Sequence, residues 1–149
     1  YRTLSIIGVR DPNLIENIDK FLNIIEDQTK QRFAGSSYQL DFHVYGKDAV
    51  LRSSEFVTKP SSHELGVIID VIAETQPLAH SICAFVRGRV FFNDYPNKIT
   101  TAGNVAVMLS PGDVDIGPVY TWNIWHAIEL EDPCDPFEIK IVDFPREGD

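Results

Sequence analysis

Two segments of this chain each carry a single apolar stripe at helical spacing, and together they demand one shared surface to lie on. In residues 11–33 the stripe is Leu14, Ile15, Ile18, Phe21, Leu22 and Ile25; in residues 75–92 it is Leu78, Ala79, Ile82, Cys83, Val86 and Val90. Both segments open with helix-starting chemistry. Asp11 stands ready to cap ahead of Pro12, and Thr75 does the same ahead of Pro77, while Gly35 supplies a stop after Phe33. A helix with one stripe buries that stripe and leaves its other side wet, so two such helices fit one face of a sheet.

The intervening segments supply the sheet. "RTLSIIGVR" reads as a first strand, bounded by Asp11-Pro12. "YQLDFHVY" alternates strictly, with Tyr38, Leu40, Phe42 and Val44 on one side and polar residues on the other. "ELGVIIDVIA" places Leu65, Val67, Ile69 and Val71 on one face and Ile68 and Ile72 on the other, which predicts a central strand. "ITTAGNVAVML" resumes extended structure with a bend expected at Gly103-Asn104. After a loop over 110–118, "VYTWNIWHAIEL" and "FEIKIVDF" read as two further strands. The expected fold is α+β: a ferredoxin-like βαββαβ sandwich, two helices on one face of a mostly antiparallel sheet, with extra C-terminal strands.

A chain of 149 residues suits one domain, and its start at Tyr1 without a methionine reads as the C-terminal part of a longer protein. The net charge of −9 repels phosphate backbones and anionic lipid surfaces, so neither nucleic acid nor membrane is an expected partner. Arg87 and Arg89, the densest basic spot, fall late in a helix, where cations favour the dipole. Cys83 lies on an apolar stripe and Cys134 sits between Asp132 and Asp135, a usage that suggests a reducing, cytoplasmic setting.

Chemistry-bearing motifs are sparse. Neither GxGxxG nor GxxxxGK[ST] occurs, and His43, His63, His80 and His126 lack zinc-ligand spacing, so no metal and no cofactor is expected in this domain. His63 and Glu64 open the central strand on opposite faces. His126 shares a predicted face with Tyr120, Trp122, Ile124 and Ile128, where an imidazole serves either as a general acid–base or as a core residue with one good hydrogen bond. Trp122 and Trp125 fall on opposite faces, so one of them reads as an interface anchor. In the loop "SPGDVDIGPV", Asp113 and Asp115 could meet a cation, although turn-making explains both better.

The segments "GVRDPNLIENIDKFL", "VYGKDAVL", "HELGVIIDVIAETQPLAHSICAFVR" and "YPNKITTAGNVAVMLSPGDVDIGPVYTWNIWHAIELEDPCDPF" together resemble the carboxy-terminal domain of the acyclic terpene utilization (AtuA) family, over nearly the whole chain. That resemblance implies a small ferredoxin-fold appendage to a larger amino-terminal domain of the same polypeptide. It also implies a role in the breakdown of acyclic terpenoids or branched acyl compounds, with a coenzyme A thioester as substrate of the full-length protein. The positions to watch in the matching segments are His63, Glu64, Gly103, Asn104, Ser110, Asp113, Tyr120, His126 and Glu129.

Three functions compete. The leading one is an accessory module that forms a homo-oligomer and packs on the larger domain, through Trp122 or Trp125. The second is a half-site for acyl-CoA chemistry, with His126 as general acid–base oriented by Asp113 or Glu129. The third is a regulatory domain that binds a small molecule.

Overall fold

The computed structural model describes residues 1–57, 62–122, 124, 127, 129–138 and 140–142. The chain forms two compact units, Tyr1–Val119 and Tyr120–Asp149. The first unit is α+β, with a mostly antiparallel open sheet and three helices.

Its strands are β1 (Arg2–Val9), β2 (Tyr38–Tyr45), β3 (Leu65–Ala73), β4 (Val105–Val107) and β5 (Asp113–Gly117), and its helices are α1 (Pro12–Glu16), α2 (Ile18–Arg32) and α3 (Gln76–Phe92). The sheet runs β2-β3-β1, and both β4 and β5 pair with the far side of β1. All these pairings are antiparallel. The expected interior position of β3 is therefore observed. Alternation along β1 and β3 sends Ile7, Val9, Leu65, Val67, Ile69 and Val71 to the helix side, where they meet Leu14, Ile18, Phe21, Ile25, Ile82 and Val86 in one core. Leu4, Ile6, Ile68 and Ile72 point to the opposite face and are partly buried.

The helix starts follow their chemistry. Asp11 accepts a hydrogen bond from the Leu14 N–H at 2.9 Å, and the Thr75 hydroxyl accepts one from the Leu78 N–H at 3.4 Å. The single helix expected over 11–33 is two. Asn17 leaves helical geometry at φ −109°, ψ 17°, and its side-chain amide donates to the Asn13 carbonyl at 2.9 Å, ending α1. The apolar stripe continues across this break, which is why spacing alone does not reveal it. Between β2 and β3, Gly46 sits at φ +91°, and a Cβ there would stand 3.0 Å from Leu65 and 3.1 Å from Ser62 Oγ.

The largest departure lies in the last strand of the sheet. Residues 110–118, expected as a loop, contain β5, and the expected bend at Gly103-Asn104 is a turn that precedes a strand of only three residues. Ile7 pairs with Val107 and Ser5 with Asp113, so the whole Met108–Gly112 segment stands opposite the single residue Ile6. The strand is thus interrupted at Ser110-Pro111-Gly112, later than the sequence suggests.

In the second unit the described residues carry neither helix nor strand, in contrast to the two C-terminal strands expected. A turn holds Asp132 to Phe137: the Cys134 N–H donates to Asp132 Oδ1 at 2.8 Å, and the Phe137 N–H donates to the Cys134 carbonyl at 2.9 Å. Tyr120, Ile124, Phe137 and Ile141 are exposed.

Candidate functional site

Two places in the first unit concentrate polar chemistry. The first is a groove on the sheet face opposite the helices, about 430 Å³ in volume. Its floor exists because three cross-strand neighbours lack bulk: Gly8 pairs with Gly66 on one side and Ala106 on the other. Met108 lines it, and Arg10, Glu64, Gly103 and Asn104 approach it from the strand ends. The Arg10 guanidinium lies 3.3 Å from the Glu64 carboxylate, and the Arg10 N–H donates to the Asn104 carbonyl at 2.8 Å. Asn104 in turn donates its side-chain amide to the Thr100 carbonyl at 2.7 Å, so the turn at Gly103 is fixed from both sides.

The second is a polar seam between α3 and β5. Asp113 is buried and receives both Arg87 Nε at 2.8 Å and Arg87 NH2 at 2.9 Å, a two-pronged ion pair. The hydrogen bond to Asp113 pushes the Arg87 pKa up from its ordinary value. Cys83 lies beside the same carboxylate, 3.9 Å from sulfur to oxygen. Burial, followed by the charge of Asp113, pushes its thiol up to about 12, so it stays protonated at neutral pH. Two residues along β5, Asp115 accepts from the Thr3 hydroxyl at 2.8 Å and lies 3.0 Å from His80 Nδ1. The hydrogen bonds from His80 and then Thr3 hold its carboxyl below the usual range. Gln76 completes the seam by donating to Thr3 Oγ1 at 2.7 Å, and Ser5 donates to the Gly112 carbonyl at 2.7 Å.

The residues singled out in sequence therefore fall in different places. Glu64, Gly103 and Asn104 come together at the groove, whereas Asp113 belongs to the seam. His63 is exposed in the bend before β3, and Ser110 is exposed in the interruption between β4 and β5. Tyr120, Trp122 and Glu129 are exposed in the second unit, and Trp125 and His126 lie outside the described residues. Arg10, His80 and Arg87 do structural or site work that their sequence context does not announce. For Arg87 the available signal is its position one turn after Cys83 on the stripe side of α3, facing a strand that carries acids. Among the described residues no group of three or more metal-ligating side chains is gathered, and no helix is long and apolar enough to cross a membrane.

No family model matches the chain, and no curated protein or solved structure matches it either.

Proposed function

We propose that this chain is an accessory domain of ferredoxin-like architecture in a protein resembling the acyclic terpene utilization family, where it mediates oligomerisation and packs on a larger catalytic domain. The order βαββαβ, with the final strand in two pieces and sheet order β2-β3-β1-β4, supports the architectural part. A cytoplasmic setting and a coenzyme A thioester substrate for the parent protein belong to the same reading.

The observation that carries it is the inverted amphipathicity of β5. Its acids Asp113 and Asp115 are bonded to α3, while Val114 and Ile116 are 40% and 51% exposed. Val114 pairs with Leu4 on the face that bears Ile6, Ile68 and Ile72 together with the Arg2–Asp70 ion pair beside Leu4, so the strand adds apolar residues to a mixed face of the sheet. A charged residue turned inward and a valine turned outward make sense where the outward side meets protein.

The half-site reading, with His126 as general acid–base, loses one of its two orienting carboxylates, because both oxygens of Asp113 are already engaged by Arg87, and rests on Glu129. Light scattering over a wide concentration range tests the assembly reading. The expected result is a defined oligomer that Val114→Lys converts to a folded monomer. A chain that stays monomeric at the highest concentrations overturns it.

A further inference from the structure

We propose that the groove over Gly8 and Gly66 binds an uncharged planar heteroaromatic ring whose edge carries a hydrogen-bond donor next to an acceptor, as adenine does. The two glycines are not required by the backbone, because neither has a positive φ. Nor does packing require them: a Cβ on Gly8 would lie 3.7 Å from Met108 Sδ, and one on Gly66 would lie 3.7 Å from Tyr45 Cβ, both ordinary contacts. What side chains at these positions would remove is the groove itself. Gly8 and Gly66 face each other across β1 and β3, so their bare peptide planes form a flat floor for a ring.

The chemistry at the rim suits a ring edge. Arg10 and Glu64, just past the ends of β1 and β3 and two residues from Gly8 and Gly66, line the same groove 3.3 Å apart and offer donors beside acceptors. Their side chains are 67% and 56% exposed, so the pair adds little to folding and can turn to a ligand at small cost. Because the pair is balanced, it favours a neutral group with both functions over a carboxylate, and the net charge of −9 disfavours a phosphate. The Met108 thioether at the lining provides a sulfur–aromatic contact. A volume of about 430 Å³ lies within the range of small-molecule sites. An alkyl chain could lie on the same floor, yet it would leave Arg10 and Glu64 unused.

The test is a titration of the isotope-labelled chain with adenosine, followed by backbone amide NMR, with heptanoate as the comparison. Saturable shifts at Gly8, Gly66 and Gly103 are expected, with a Kd of about 1 mM or tighter. Gly66→Val should abolish them, Glu64→Ala should weaken them about fivefold, and Lys30→Ala, on the far side of the molecule in α2, should leave them unchanged. If Gly66→Val loses its dispersed spectrum, Gly8→Ser takes its place, since that Cβ meets Met108 and the Ala106 carbonyl only at ordinary contact distances of 3.7–3.9 Å. Absence of shifts with adenosine, or their persistence when the floor is filled, overturns the proposal. Equal binding of heptanoate, insensitive to Glu64→Ala, also overturns it and marks the groove as a plain apolar slot. Light scattering reads assembly independently, so failure here leaves the oligomerisation reading standing.

Discussion

The two edges of the sheet are built on opposite terms. On one side β2 pairs with β3 at every position from Tyr38 to Tyr45, in one unbroken register, with its apolar residues facing the core. On the other, β4 and β5 share the outer side of β1, the β5 register shifts between Arg2 and Thr3, and the side chains facing α3 include two aspartates. The first edge is held by a continuous ladder and hydrophobic pattern. The second depends on individual polar bonds from Arg87, His80, Thr3 and Ser5, so damage there should be large and local.

Arg87→Ala is expected to have the largest effect, because it leaves the buried Asp113 carboxylate without its partner. A loss of about 3 kcal/mol in urea denaturation is expected, against no more than about 0.5 kcal/mol for Asp41→Ala on the β2 edge. Equal losses at the two sites would remove the contrast. Thiol labelling of the folded chain probes the seam without mutation: exposed Cys134 should react on the order of a hundredfold faster than Cys83. Comparable rates would mean that β5 lifts off α3 in solution. Because the Cys83 thiol is raised, its contribution to stability is present below the ordinary thiol range and is lost as pH climbs towards about 12.

On the ladder side, Gly46→Ala tests whether β2 owes its register to its turn. Strain at φ +91° and the close approach of Leu65 should cost about 2 kcal/mol, read by thermal or urea unfolding. Thr3→Val removes a donor to Asp115 and an acceptor for Gln76 while keeping shape, and should cost about 1 kcal/mol. The smallest effect belongs to Asp115→Asn. Asp115 has a depressed carboxyl, so its stabilisation is present above the ordinary carboxylate range, near pH 3.9, and disappears as pH falls through its folded value. The stability gap between wild type and variant should therefore close as pH falls below about 4; a gap that persists undiminished through that range would contradict the assignment.

The sequence was legible where burial and periodicity agree. Every residue of the α1–α2 stripe is buried, Asp11 and Thr75 cap as their types suggest, and β3 is interior. β5 escaped because its pattern is reversed. Alternation analysis assigns the apolar set to the core, but the burial of Asp113 is made tolerable by a guanidinium arriving from α3, a partner far away in the chain. Pro111 and Gly112 just before it and Gly117 as its last residue added turn signals that marked the ends of the strand and hid the strand itself. Of the candidate site, Glu64, Gly103 and Asn104 were visible as types in suggestive places. The groove that unites them depends on which strands are neighbours, and Gly8 and Gly66 become a floor only through that pairing.

The interruption at Met108–Gly112 separates two stretches that are each anchored to β1 in their own right. Length at that point is decoupled from alignment on either side. A peptide tag or a longer loop inserted after Leu109 would shift neither the Val107 pairing nor the Asp113 pairing, which makes this position a natural splice site in the edge of the sheet.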